Sequence, residues 1–272
     1  MELFTTKDHT TLHYAAMGSG QPIVLIHSAF ENFSIFNDIA TKLSYSYEVI
    51  CIDLRGHGYS DKPLQIDFAD YASDIKELLD YLYIRHAFFI GQELGATIAA
   101  DFASKFDAYV DGLVLVNPAT LQAELPEARL FRKYADTIRT WEDNKQQKFL
   151  DKHTYGSKKK AGKMLKNYSD MTPIMTGLEK RSVTASFEHT EIQPALNHIQ
   201  APVLIIQGKH DERLTSEELA AYTDHIQHAQ VETFERSGLY PMGEEKKRFL
   251  ETVTAFINVN EALEDEQQRI KA

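Results

Sequence analysis

Short, unbroken apolar runs punctuate the chain. Pro22-Ile23-Val24-Leu25-Ile26, Glu48-Val49-Ile50-Cys51-Ile52-Asp53, Phe88-Phe89-Ile90-Gly91, Gly112-Leu113-Val114-Leu115-Val116-Asn117 and Pro202-Val203-Leu204-Ile205-Ile206-Gln207 have strand length and no alternation. Runs of that kind are strands covered on both faces. Between them the pattern turns helical. Phe36 to Leu43 is a short helix, and Phe68, Tyr71, Ile75, Leu78, Leu79 and Leu82 recur at helical spacing over residues 68–84. A small-residue helix starts just after Gly95. Beyond residue 207 come a helix near 215–226, a strand at Val231-Glu232-Thr233-Phe234 and a final helix from Glu244 to Ile257. Residues 1–17 alternate apolar and polar around Lys7-Asp8-His9-Thr10, as a hairpin of two edge strands would. Strands alternating with helices at this spacing predict an α/β fold with a mostly parallel sheet flanked by helices.

The rhythm breaks after Pro118. From about 119 to 196 the pattern is helical, rich in Lys, Glu and Gln, without a buried strand. That is too long for a loop and too polar for a core. It reads as a helical cap inserted over the C-terminal edge of the sheet, between core segments 1–118 and 197–260, with 261–272 a polar tail prone to fraying. Leu121, Leu125, Phe131, Tyr134, Trp141, Phe149, Leu165 and Met171 supply the cap's apolar side chains. They either face the core or pack against one another. A pocket between cap and core suits a small, partly apolar molecule.

Composition narrows the partners. The formal net charge of −11 argues against a nucleic-acid surface. The basic run Lys158-Lys159-Lys160 reads as a solvated face. No apolar stretch approaches the roughly 18 residues that span a bilayer, and the first residues lack the charged-then-apolar pattern of a signal peptide. The single Cys51 excludes an internal disulfide and lies in an apolar run, as a buried thiol does. The expected compartment is the cytoplasm. Neither a metal site nor a phosphate-cradling glycine loop is expected, and so no cofactor; His9 and His13, on the hairpin, read as surface groups. Oligomeric state is not legible.

The chain is organised around Gly91-Gln92-Glu93-Leu94-Gly95, a tight turn between a buried strand and a helix. This turn resembles the nucleophile elbow G-x-S-x-G of the α/β-hydrolase superfamily, with Glu93 in the central place. Three further segments resemble that family in the same order. Asp53-Leu54-Arg55-Gly56-His57-Gly58-Tyr59-Ser60 looks like its D-x-R-G-x-G-x-S loop, and His27-Ser28 like its His-Gly pair. Gly208-Lys209-His210-Asp211 is similar to the G-x-x-D that supplies the triad acid, and Ser237-Gly238-Leu239-Tyr240-Pro241 to the S-G-H-x-P that supplies the histidine. The resemblance spans nearly the whole chain and implies an α/β-hydrolase fold with a cap and esterase-, lactonase- or C–C hydrolase-like chemistry.

The departures bear on the chemistry. The resemblance puts Glu93 where the nucleophile stands and Leu239 where the histidine stands; only Asp211 is kept. Ser–His–Asp catalysis is therefore expected to be absent. Three readings remain. Glu93 acts as base or nucleophile on small esters, lactones or related carbonyl compounds, with Asp211 an orienting acid and the N–H groups of Leu94 and Ala29 the oxyanion hole that the resemblance implies. Alternatively, the site is that of an inactive pseudo-hydrolase that binds a small ligand or regulates a partner. In the third reading the chain is a protein–protein scaffold with no ligand. A turn at a helix N-terminus favours an anion, so the Glu93 carboxylate is expected in or near that hole. If it lies desolvated beside Asp211, one carboxyl pKa should rise. His27 and His57 read as structural hydrogen-bonders, His210 as pointing elsewhere and His189 as exposed.

Overall fold

The computed structural model describes residues 2–119, 125–169, 173–188 and 190–271. Eight strands form one sheet: β1 (Glu2–Thr5), β2 (Thr11–Gly18), β3 (Pro22–Ile26), β4 (Glu48–Ile52), β5 (Ala87–Gln92), β6 (Val110–Val116), β7 (Val203–Gly208) and β8 (Gln230–Phe234). Their spatial order is β1-β2-β4-β3-β5-β6-β7-β8. β1 pairs antiparallel with β2 and β2 antiparallel with β4; every other neighbour is parallel. The expected pair of edge strands is thus corrected: β1 is an edge, but β2 is interior, pairing with β4 from Tyr14↔Ile52 to Gly18↔Glu48.

The unbroken apolar runs feed two cores. In β3, Val24 and Ile26 pack on one face of the sheet while Ile23 and Leu25 pack on the other, the two-residue period of a strand buried on both sides. Helices α1 (Asn37–Leu43), α2 (Phe68–Tyr81) and α3 (Leu94–Lys105) follow β3, β4 and β5. α2 and α3 bring Tyr71, Ile75, Ile98 and Phe102 to the first core, and α1 brings Ile39 to the second.

Between β6 and β7 the described residues hold five helices and no strand: α4 (Pro126–Ile138), α5 (Asp143–Lys152), α6 (Lys158–Ser169), α7 (Gly177–Phe187) and α8 (Gln193–Leu196). This insertion rests on the loops that follow the strands. Leu239 N–H donates to Thr154 O at 2.8 Å, Glu212 N–H to His153 O at 2.8 Å, and Ser182 Oγ to Pro63 O at 2.7 Å. Of its apolar side chains, Leu125 and Leu165 pack against the two cores. Phe149 makes ring contacts with both Tyr134 and Trp141, and Phe131 is exposed. Leu121, Met171 and His189 lie outside the described residues.

After β7 come α9 (Ser216–Thr223), β8, α10 (Pro241–Glu244) and α11 (Lys246–Lys271). The final helix of the sequence reading is α11, preceded by the short α10 and running on through the segment expected to fray. α11 buries Phe249, Val253 and Ile257 in the second core.

Candidate active site

The elbow follows from steric limits. A Cβ on Gly95 would sit 2.2 Å from Ile26 O, and one on Gly91 2.2 Å from Gly95 O. Only glycine allows α3 to start this close to β3 and β5. Glu93 between them has φ 44° and ψ −108°, and its N–H donates to Val116 O at 3.0 Å. Positive φ at a residue with a side chain is strained by roughly 1–3 kcal/mol; it throws the Glu93 side chain above the C-terminal edge of the sheet.

Asn117, just past β6 and also at positive φ (44°), organises the opposite wall. Its Nδ2 donates to Gly238 O and Leu239 O at 3.0 Å each, and its Oδ1 accepts from Gly208 N–H at 2.8 Å. One amide thereby ties the loop after β7, carrying Asp211, to the loop after β8, carrying Leu239. All three positions read from the sequence are buried: Glu93 is 7% exposed, Asp211 6% and Leu239 5%.

Between the two acids lies a residue the sequence reading missed. Arg213 is 2% exposed. Its Nε and Nη2 donate to Asp211 Oδ1 and Oδ2 at 2.8 and 2.7 Å, a two-bond grip, and Nη2 also donates to Glu93 Oε1 at 2.7 Å. Nη1 donates to Glu127 in the first turn of α4, reaching into the insertion. The other Glu93 oxygen, Oε2, accepts from Ser28 Oγ at 2.8 Å. Ser28 N–H in turn donates to Glu31 Oε2 at 3.2 Å, and Tyr240 Oη donates to Glu31 Oε1 at 2.7 Å. A continuous chain therefore runs Tyr240–Glu31–Ser28–Glu93–Arg213–Asp211.

The expected seat of the Glu93 carboxylate is corrected by these contacts. It makes no side-chain bond to the first turn of α3, and among the described residues neither the Leu94 nor the Ala29 amide donates to it. Two stronger partners draw it away: a guanidinium, whose hydrogen bonds are charge-assisted, and a hydroxyl at the position where the resembled pair has glycine. The only sequence signal for Arg213 is a lone cation two residues beyond Asp211.

Burial raises the Glu93 pKa well above the usual carboxylate range; Arg213 opposes the shift, and Glu127, Asp211 and Glu31 add to it. Burial likewise pushes Glu31 up to about 7, against the bonds from Tyr240 and Ser28. Both follow from three buried carboxyl groups, Glu93, Asp211 and Glu31, around one guanidinium that the exposed Glu127 also engages. Arg213 itself is held well above its ordinary value by Asp211 and Glu93, which outweigh its burial. It accepts no proton at any working pH.

The histidines stand elsewhere. His27 is fully buried, its Nε2 accepting from Leu54 N–H at 3.0 Å and its Nδ1 lying 2.7 Å from Ser28 O. His57 is buried with Nδ1 2.9 Å from Arg55 O, and His210 Nε2 faces Glu235 O at 3.1 Å. His13, expected at the surface, is instead buried with Nδ1 2.7 Å from Asp53 Oδ2. The interior position of β2 is the reason. Asp53 also accepts from Phe33 N–H and Tyr59 N–H, so the D-x-R-G-x-G-x-S segment shapes the loop. Among the described residues no group of three or more His, Cys, Asp or Glu is arranged to hold a metal ion, and no helix is long and apolar enough to cross a membrane.

An elbow on a strand–turn–helix, in an eight-stranded mostly parallel sheet, defines the class. The α/β hydrolase fold family model matches residues 21–245, and the chain belongs to that family. It is 28% identical to a 2-(acetamidomethylene)succinate hydrolase of Mesorhizobium japonicum, over 77% of this chain and 78% of that protein. It is 27% identical to 3-oxoadipate enol-lactonase 2 of Acinetobacter baylyi, over 87% and 91%. Among solved structures, an esterase from Exiguobacterium antarcticum superimposes with a TM-score of 0.79 over 94% of this chain and 98% of that one, at 21% identity.

Proposed function

We propose that this chain is a ligand-binding member of the α/β-hydrolase family in which acyl transfer has given way to a fixed ion triad. The observation that carries the reading is Arg213, placed between Asp211 and Glu93. Acyl transfer needs a base there to take a proton from a nucleophile and return it to the leaving group. A guanidinium that never deprotonates cannot do so, and Leu239 offers no nitrogen. Glu93 is held by both oxygens, so it is not poised to attack. The helical insertion acts as a cap, and the ligand is a small, partly apolar molecule between cap and core, in the cytoplasm.

The test is turnover of short p-nitrophenyl esters and lactones, run beside thermal-shift screening of small carbonyl compounds. The expected result is no turnover and a saturable rise in melting temperature with at least one compound. Turnover that disappears in Glu93→Gln overturns the reading.

One observation favours a second reading. A carboxyl pKa lifted by burial suits a general acid or base near neutral pH, and the named relatives are a hydrolase and a lactonase. On that reading Glu93 works on small esters, lactones or related carbonyl compounds, Asp211 orients Arg213, and the amides of Leu94 and Ala29, not engaged by Glu93, receive the substrate oxygen. A bell-shaped pH–rate profile that loses one limb in Glu93→Gln would select it.

A further inference from the structure

The five helices of the insertion do not share one footing. α6 places Ala161 and Met164 in the second core, while α7 and α8 place Val183, Phe187 and Leu196 in the first. Among the described residues, no side chain of α4 or α5 joins either core; Leu130 and Ile138 are buried outside both. These two helices are instead tied to each other, Phe149 of α5 meeting Tyr134 of α4 and Trp141 of the link between them. On either side of the pair the chain is fixed to the core. Ala119 O accepts from Thr97 Oγ1 at 2.8 Å before it, and Thr154 O accepts from Leu239 N–H at 2.8 Å after it.

Polar contacts hold α4 down. Glu127 accepts from Arg213 Nη1, Arg129 Nη1 lies 2.6 Å from Glu218 Oε1, and Lys133 Nζ lies 2.7 Å from Glu212 Oε2. The Glu127 side chain is 64% exposed and that of Lys133 52%, so water and salt reach both pairs, and exposed pairs contribute little. The seam is open as well. A cleft of about 580 Å³ lies between α4 and residues 212–217 and reaches Arg213. Closure also leaves Arg129 Nε and Nη2 buried without a partner among the protein's groups, a cost that exposure to water removes. Few apolar contacts with the body and a hydrated seam mark a segment that opens at low cost.

We propose that α4 and α5 move as one body, a lid latched by ion pairs over Arg213, and that a ligand reaches the triad when it lifts. Arg213 joins latch to triad. Opening takes Glu127 from Nη1, while Nε and Nη2 keep Asp211 and Glu93. The lid does not depend on how the elbow is read; what enters beneath it rests on the small-ligand reading above.

Phenylglyoxal, a small dicarbonyl that modifies arginine, tests the lid in the full chain, with the modified residues read by peptide mass spectrometry. Arg55 is the internal control, since it is also buried and is gripped by Asp74 through Nε and Nη2. At about 1 M sodium chloride, where the screening length falls to about 3 Å, Arg213 is modified roughly tenfold faster than at low salt, and Arg55 is not. Glu127→Gln and Lys133→Gln each remove one pair of the latch and speed the modification of Arg213 at low salt. If Glu127→Gln melts early, Lys133→Gln, at the surface, carries the comparison. A rate at Arg213 that neither salt nor the folded variants move overturns the proposal. So does an Arg55 that keeps pace with Arg213, because the whole molecule is then loosening. Modification is read without turnover or ligand affinity, so failure of the lid leaves the proposed function standing, and turnover of an ester leaves the lid standing.

Discussion

Arg213 decides the character of the site at the scale of single residues. Its guanidinium is matched on Nε, Nη1 and Nη2 by Asp211, Glu127 and Glu93. Removing one partner of a buried ion cluster leaves uncompensated charge, which typically costs about 3–5 kcal/mol. Arg213→Met should therefore lower stability by roughly that much in urea unfolding. Glu93→Gln keeps an acceptor for Arg213 and should cost distinctly less; equal losses would show that the cluster is not anchored on the arginine. The carboxyl groups also give a pH signature. Glu31 has a folded pKa of about 7 against an ordinary 4.5, and that of Glu93 is raised as well. An acid raised in the folded state keeps a proton that the unfolded chain has released, so folding weakens as pH climbs toward the folded pKa. Buried His27 and His57, held below their ordinary 6.5, act oppositely but only at lower pH. The histidine contribution fades above pH 6.5, leaving the carboxyl contribution. The melting temperature should fall between pH 6.5 and 8.5, with a shallower fall in Glu31→Gln. A flat wild-type curve over that window would show that these acids are ionised throughout.

Glycine placement and helix starts govern the elements. At Gly95 the nearest atom to an added Cβ is a backbone carbonyl 2.2 Å away, so relief requires α3 to move off the sheet. Gly162 is also helical, in α6, and an added Cβ meets nothing within 4 Å. Gly95→Ala should destabilise by more than about 2 kcal/mol or fail to fold. Gly162→Ala should stabilise by roughly 0.5–1 kcal/mol through helix propensity alone. Opposite signs for one chemical change, read by thermal melts, are what the elbow packing requires. The same contrast explains what the sequence disclosed. Parallel strands buried on both faces announce themselves as unbroken apolar runs, and the elbow glycines mark a turn with no room for a side chain. β2 did not announce itself as interior, because its partners in β4 lie 30 to 38 positions away and local alternation looks the same at an edge. Ser28, Glu31 and Arg213 were equally silent. Their contacts span 65, 209 and 120 positions to Glu93, Tyr240 and Glu93, and loop residues carry no period that could reveal them.

For the whole molecule, the question is how far the site stands from the triad its family relationship implies. On the proposed reading two exchanges set it apart, Glu93 for the nucleophile and Leu239 for the base, and restoring both is the obvious reconstruction. The structure argues that it is insufficient. Both Asp211 oxygens are taken by Arg213, through Nε and Nη2, so an imidazole introduced at position 239 would find no free acid to orient it. Worse, the arginine would lose Glu93 as a partner and still hold Asp211. Esterase activity on p-nitrophenyl acetate should thus be absent from Glu93→Ser/Leu239→His. It should appear only when Arg213→Leu is added, which frees Asp211 and leaves an uncharged side chain in its place. A working base contributes on the order of a hundredfold or more, which a spectrophotometric assay separates from background. The amides of Ala29 and Leu94, which Glu93 does not engage, would then serve the developing oxyanion. Activity in the double variant would show that Asp211 is not sequestered, and would overturn the part that the proposed function gives Arg213.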